Sequence, residues 1–244
     1  MANISYVNIE GFKLAYRIEN PAQNKTIFFI HGNSCSSRSW YNQIKSEALC
    51  GYRLIAIDLP NHGNSQAIDP SKFNLEVMAA IIGSAIRKLA QDKPFIICAF
   101  SLGTNIIAEL LDGSITPKGL LFAGTCIMGE GFEMAKLVNK NANLEALFTD
   151  EVSEDKVVDY FDIASFAHNE EDKAIILEDF FSVKNNFRPL LYGLLTNGHI
   201  KDEVALVANK GCPVCIVYGE EEKIINTGYL NDAPINLWNK KIYT

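Results

Sequence analysis

Five short runs of almost wholly apolar residues constrain the fold of this chain more than any other feature. They span residues 26–30, 54–57, 95–99, 120–123 and 214–218. Runs of this kind are typical of strands buried on both faces of a parallel sheet. Helical patterns separate them at residues 40–49, 75–90 and 104–111. This β-α-β order predicts an α/β fold, a mostly parallel twisted sheet with helices on both faces.

Further strands are predicted near the two ends of the sequence. Residues 4–9 and 12–18 alternate between apolar and polar side chains and meet at Glu10-Gly11, which indicates a hairpin. Residues 241–244 resemble the start of one more strand.

The middle of the chain differs from the rest in pattern and in charge. Residues 127–208 show only helical patterns, at 154–163, 173–181 and 187–195, and carry 16 Asp and Glu against 7 Lys and Arg. We therefore expect an inserted helical cap at 127–208 and an α/β core formed by 1–126 and 209–244.

The composition excludes several classes of partner. A net charge of −7 and a pI near 5.2 argue against a nucleic-acid surface, which needs clustered Lys and Arg. No secretory leader or membrane-spanning stretch is predicted, and the scattered cysteines favour a reducing, cytoplasmic location. Cys212 and Cys215 have metal-pair spacing but no second pair nearby. We expect a small-molecule substrate, neither metal nor other cofactor, and no membrane partner; the oligomeric state is left open.

The segment around Ser101 carries the clearest chemical signal. An apolar strand leads into Ala99-Phe-Ser101-Leu-Gly103, and a helix follows. A sharp strand-to-helix turn exposes a serine hydroxyl and directs the next backbone N–H at developing negative charge, which a serine nucleophile requires. The turn needs small neighbours, here Ala99 and Gly103. We predict a positive φ at Ser101.

A second segment, His31-Gly32-Asn33, follows another buried strand. Gly32 lets the backbone fold over the site, so the N–H groups of Asn33 and Leu102 are predicted to form an oxyanion hole. We interpret His31 as a residue that bonds to backbone and fixes a loop.

These two segments, with the motif from Asp58 to Ser65 and the acidic turn from Tyr218 to Glu222, resemble four landmarks of the α/β-hydrolase superfamily in order and spacing. The resemblance covers the chain outside 127–208. It implies a catalytic acid at Glu222, with Glu220 and Glu221 as alternatives in the same turn and Glu130 as the fallback. It also places His62 near the site entrance and Phe100 beside the nucleophile, and we predict that both contact substrate.

The resemblance further implies a histidine just beyond the last strand, and the printed sequence holds none there. His168 and His199 fall in the helical insertion. We therefore expect a chain truncated before its catalytic histidine, or a shortened relative, with little or no activity in either case.

The leading functional hypothesis is a serine hydrolase of a small ester, thioester or amide. The alternatives are a non-catalytic small-ligand-binding protein and a cofactor-free lyase or oxygenase on the same scaffold.

Overall fold

The computed structural model describes residues 3–164, 169–198 and 201–244. A seven-stranded mixed sheet has the spatial order β1-β2-β4-β3-β5-β6-β7. Its strands are β1 (Ile4–Ile9), β2 (Phe12–Glu19), β3 (Thr26–Ile30), β4 (Arg53–Ile57), β5 (Phe95–Phe100), β6 (Leu120–Ala123) and β7 (Val214–Val217). The β1–β2 hairpin is antiparallel and β2 pairs antiparallel with β4, whereas β3 to β7 are parallel. The predicted fold class is confirmed.

The sheet is buried between two apolar layers. All residues of β3 are buried, and alternate side chains enter different clusters because successive residues of a strand face opposite ways. Phe28 and Ile30 belong to the larger core, whereas Ile27 and Phe29 pack with Trp40 on the other face. Two-sided burial explains why these strands are continuous apolar runs in the sequence.

Three helices belong to the first half of the chain: α1 (Tyr41–Ile44), α2 (Leu75–Ala90) and α3 (Leu102–Ala108). The side chain of Asn74 accepts the Val77 N–H at 2.7 Å and caps α2. The helix expected over 40–49 is only one turn, because Ser46 adopts an extended conformation and separates α1 from a short 3-10 turn.

Between β6 and β7, the described part of the chain is mostly helical. Its helices are α4 (Met134–Leu137), α5 (Glu145–Phe148), α6 (Glu154–Ala164), α7 (Glu170–Phe181), α8 (Phe187–Thr196) and α9 (Glu203–Asn209). The last of them packs against α3, which begins directly after Ser101. No helix in the described part of the chain is long and apolar enough to cross a membrane.

The strand expected at 241–244 is present as an isolated parallel bridge between Tyr243 and Val217. Tyr243 also exchanges backbone hydrogen bonds of 2.9 Å with Ile216 and Tyr218. This pairing covers part of the free edge of β7.

Candidate active site

Ser101 lies at the junction of β5 and α3 with φ 49° and ψ −124°. Its N–H donates to the Ala123 carbonyl at 3.1 Å, and its own carbonyl accepts the N–H of Thr104 at 2.7 Å. A non-glycine residue adopts a positive φ only where the surrounding structure enforces it. The predicted backbone geometry at Ser101 is therefore confirmed.

Two glycines allow the close approach of backbone that holds this turn. A Cβ on Gly103 would lie 2.6 Å from the His31 carbonyl oxygen and 2.7 Å from that of Ile30. A Cβ on Gly32 would lie 3.0 Å from the Cβ of Ser101. Residues 31–33 thus pass directly over the turn at Ser101, as the sequence predicted.

A mostly apolar cavity of about 370 Å³ opens onto Ser101. Apolar side chains of the helical segment, among them Leu144, Leu147, Leu191 and Leu195, line much of it. Five of the six predicted site residues also line it: Asn33, Phe100, Ser101, Leu102 and Glu222. The structure therefore brings these five together.

The two backbone N–H groups predicted to form the oxyanion hole are available. Within residues 3–164, 169–198 and 201–244, neither the Asn33 nor the Leu102 N–H has a hydrogen-bond acceptor. The side chain of Asn33 is occupied instead, since its Nδ2 donates to the Leu147 carbonyl at 2.9 Å and its Oδ1 accepts the Ser34 hydroxyl. Asn33 thereby links the loop after β3 to α5.

Glu222 is anchored through one carboxylate oxygen. Its Oε1 accepts the N–H groups of Ile224 at 2.8 Å and Ile225 at 3.0 Å. In the described part of the chain Oε2 has no donor, so this oxygen is available to another group in the cavity. Glu220, Glu221 and Glu130 are exposed and do not line it. Asp58 is buried and accepts the N–H groups of Ser37 and Asn64.

The structure corrects the expected position of His62, which is fully buried and does not line the cavity. Its Nε2 accepts the Ser34 N–H at 3.1 Å, so Nδ1 carries the proton and donates to the Pro60 carbonyl. Its ring packs on Phe187 at the start of α8, with 4.5 Å between ring centroids. His62 therefore joins the start of α8 to the loop after β3, and it does not face the cavity.

His31 is also fixed by backbone. Its Nε2 accepts the Leu59 N–H at 2.8 Å and its Nδ1 donates to the Gly32 carbonyl, which confirms the interpretation as a loop-fixing residue. Burial lowers the pKa of both His31 and His62, and Asp58 only partly opposes this at His31. Both rings are neutral with their lone pairs occupied, so neither can accept a proton from Ser101. His168 and His199 lie outside the described residues.

Several polar residues at the site were not found from the sequence. Asn105, Cys126 and Tyr160 line the cavity, and the Cys126 thiol donates to the Asn105 Oδ1 at 2.9 Å. Burial raises the pKa of the Cys126 thiol to about 12 and also raises that of the Tyr160 phenol. Asn105 could have been suspected, because it lies one helical turn after Ser101 on the same face.

Metal binding finds no support in the part of the chain that is described. No group of three or more His, Cys, Asp or Glu side chains is arranged there to hold an ion. Cys212 and Cys215 are free thiols, and burial raises the pKa of each.

Part of the sequence is similar to known hydrolases. Residues 25–117 match the family model described as the alpha/beta hydrolase fold. Protein phosphatase methylesterase 1 of Homo sapiens is 25% identical over 134 residues, and an uncharacterised hydrolase of Saccharomyces cerevisiae is 32% identical over 98 residues. These matches cover 52% and 40% of this chain and 33% of each relative, so the chain aligns with about a third of their length.

Solved structures match over nearly the whole chain. N-acyl homoserine lactonase AidH in complex with N-butanoyl homoserine has a TM-score of 0.88 at 22% identity, over 99% of this chain and 87% of that one. Esterase RhEst1 from Rhodococcus sp. ECU1013 has a TM-score of 0.77 at 19% identity, over 99% and 89% of the two chains. With the strand order and the family match over residues 25–117, this likeness shows that the chain has the alpha/beta hydrolase fold.

Proposed function

We propose that this protein is a serine hydrolase that cleaves a small ester, thioester or amide with Ser101 as nucleophile. The observation that carries the proposal is the position of Ser101. Its strained turn lies in an apolar cavity beside two N–H groups without acceptors and a carboxylate with a free oxygen. A structural serine would not require this combination.

In the proposed reaction, the Ser101 oxygen attacks the carbonyl carbon of the substrate. The negative charge that develops on the carbonyl oxygen is stabilised by the N–H groups of Asn33 and Leu102. Removing one such donor from a serine hydrolase costs on the order of 10²–10³ in turnover. The apolar lining favours an uncharged acyl group in the cavity. Lactones, which are cyclic esters, fall within the same class, and the likeness to the lactonase supports their inclusion.

The proton of Ser101 must pass to a base, and we assign this role to a histidine oriented by the free Oε2 of Glu222. The two described histidines have no free lone pair. We therefore propose that the imidazole comes from a residue outside the described ranges, and that the protein turns over little or not at all when this histidine is lacking. Loss of the base alone can cost on the order of 10⁶ in turnover.

Covalent labelling by a fluorophosphonate tests the nucleophile directly. The full-length gene product should be labelled at Ser101, located by mass spectrometry, and the Ser101→Ala variant should not be. Glu222→Gln should slow labelling by on the order of 10²–10⁴, because the histidine loses its orienting charge. Glu221→Gln is the matched control, since its exposed side chain does not face the cavity.

A second function is favoured by the absence of a base among the described histidines. In that case the cavity is a receptor for a small apolar ligand and Ser101 performs no chemistry. A full-length protein that folds but is not labelled at Ser101, and that hydrolyses p-nitrophenyl acetate no faster than Ser101→Ala, would establish this reading over the hydrolase.

A further inference from the structure

Glu203 is an acidic residue that the proposed mechanism does not use. It is the first residue of α9, and its side chain is fully buried. Its Oε2 accepts the Asn105 Nδ2–H at 2.7 Å and the Met128 N–H at 2.8 Å. Its Oε1 is buried and has no hydrogen-bond partner in the described residues. Charged residues are almost never fully buried without a partner of opposite charge, so this placement calls for an explanation.

The residues that bond to Glu203 line the same cavity as Ser101. Asn105 also donates to the Cys126 carbonyl at 2.9 Å, and its Oδ1 accepts the Cys126 thiol at 2.9 Å. The Asn105 amide thus holds Cys126 by its backbone and its side chain together. Cys126 lines the same cavity as Ser101, as do Asn105 and Met128.

We propose that Glu203 is a positioning residue of this site: through Asn105 it holds Cys126 in the wall of the cavity that Ser101 lines, and through Met128 it fixes the adjoining cavity wall. This inference rests on the proposed hydrolase function. Glu203 touches neither Ser101 nor the cavity, and its effect is transmitted by the amide of Asn105. Its neutral form suits this role, because a carboxylate there would add negative charge beside the developing oxyanion.

The groups around Glu203 favour the neutral form. Glu109, the residue after α3, and Asp202, the residue before α9, both act on it, while Cys126 and Tyr229 are the other titratable groups near it. Lys201, two residues before Glu203, is paired with Glu109 and Asp112. Burial raises the pKa of Glu203 to about 8, with Glu109 and Asp202 adding to the rise and the donors Met128 and Asn105 opposing it. The group is protonated at neutral pH and ionises as the pH passes 8.

Alkylation of Cys126 by iodoacetamide tests the arrangement without requiring hydrolase activity. The rate is followed by mass spectrometry in the full-length protein, with exposed Cys50 as internal reference. Glu203→Ala releases Asn105 and should speed alkylation of Cys126 about tenfold, since access and thiolate fraction control thiol reactivity. Asp179→Ala is the matched control, because this buried acid bonds to Ser36 and Arg38, neither of which lines the cavity. A Cys126 rate in Glu203→Ala within twofold of wild type overturns the proposal.

Glu203→Gln provides the test if the alanine variant does not fold. Its amide oxygen can still accept from Asn105, so alkylation at pH 7 should match wild type. Above pH 8 only wild type acquires a charge beside the thiol, and the variant should then react faster, by up to about tenfold near pH 9.5. A ratio of the two rates that stays at one over this range overturns the proposal.

Fluorophosphonate labelling of the same proteins separates the two proposals. Labelling of Ser101 should decline above pH 8 in wild type but not in Glu203→Gln, which a merely structural role of Glu203 would not produce. Identical pH profiles would show that Glu203 does not act on Ser101. If Ser101 is unlabelled in every protein, the proposed hydrolase function fails, while the Cys126 rates still decide whether Glu203 holds this wall.

Discussion

The cavity wall that carries Ser101 and the helices that face it are held by different kinds of contact. Around Ser101 the contacts are close backbone packing at Gly103 and hydrogen bonds among uncharged groups, with Glu203 protonated at neutral pH. On the facing side, the segment from α7 to α8 is fastened to the core by buried charges. We therefore expect added side-chain bulk or alkaline pH to destabilise the wall that carries Ser101. Removal of a charged side chain should destabilise the facing helices.

Arg188 shows what holds the facing side. Its side chain is 4% exposed, and it donates to Asp150 at 2.6 Å, to the Ser34 hydroxyl at 2.9 Å and to the Phe180 carbonyl. Asp179 is also buried and binds Arg38 and the Ser36 hydroxyl. Burial raises the pKa of Asp179, but its bonds to Arg38 and Ser36 oppose this, whereas Glu203 has no such cation. The two buried acids thus differ in their surroundings: a bonded cation opposes the rise in pKa at Asp179, and the described residues provide no such cation at Glu203.

The largest effect on stability is expected from Arg188→Leu. The variant leaves the buried Ser34 hydroxyl and Phe180 carbonyl without their donor, and Asp150, whose side chain is 30% exposed, without its partner. Each buried group left unsatisfied costs about 1–3 kcal/mol, so the total loss should be about 3–5 kcal/mol. The free energy of unfolding in urea at pH 7 measures the loss.

Lys156→Ala is the control for that measurement. Lys156 and Glu145 form an ion pair in which both side chains are 58% exposed, and such pairs contribute about 0–1 kcal/mol. Equal losses in the two variants would contradict the view that buried charge fastens the helical segment.

The next largest effect is expected from Glu203→Gln at alkaline pH. Because the pKa of Glu203 is higher in the folded protein than the ordinary 4.5, its contribution to stability is complete below 4.5 and is lost as the pH rises to about 8. Each unit of pKa corresponds to about 1.4 kcal/mol, so over the rise from 4.5 to about 8 the glutamine variant should gain about 4 kcal/mol relative to wild type between pH 4.5 and 8. Urea unfolding of both proteins at several pH values gives this difference. A difference independent of pH would mean that Glu203 is charged throughout.

Gly103→Ala should be destabilising by about 2 kcal/mol, within the range for overpacked sites. Its Cβ would meet the carbonyl oxygens of His31 and Ile30 below 3.0 Å, and backbone cannot turn aside as a side chain can. The variant should also lose Ser101 labelling, because α3 must shift away from the loop that carries Asn33. A variant as stable and as readily labelled as wild type would show that the wall is loosely packed.

The strands were predictable from the sequence because burial on both faces leaves a continuous apolar run with clear ends. The predicted bounds of β3 and β6 match the structure, and those of β4, β5 and β7 differ by one residue. The turn at Ser101 was predictable for a related reason, because the small residues that it needs and the helix that follows it are its neighbours in the sequence. By contrast, α4, α5 and α9 were missed because their one- or two-turn length gives too few residues for a 3.6-residue period to show.

The rest of the site depends on contacts between residues distant in the chain. His62 was misplaced because its position is set by Phe187, which lies 125 residues later and belongs to α8. Glu203 resembles an ordinary acidic residue at a helix start, where a carboxylate is normally solvated and favourable. Its burial follows only from the packing of α9 on α3, which no local pattern in the sequence indicates.

The smallest effect, of opposite sign, is expected at Gly193 in the middle of α8. A Cβ added there meets no atom within 4 Å, in contrast with the crowded position of Gly103. Alanine has a higher helix propensity than glycine, by about 1 kcal/mol in exposed helices, so Gly193→Ala should stabilise the protein by about 0.5–1 kcal/mol. Thermal unfolding of this variant beside Gly103→Ala compares the two regions with one chemical change. A loss of stability at Gly193 would mean that α8 packs as closely as the wall around Ser101, and the contrast between the two sides of the cavity would then rest on charge alone.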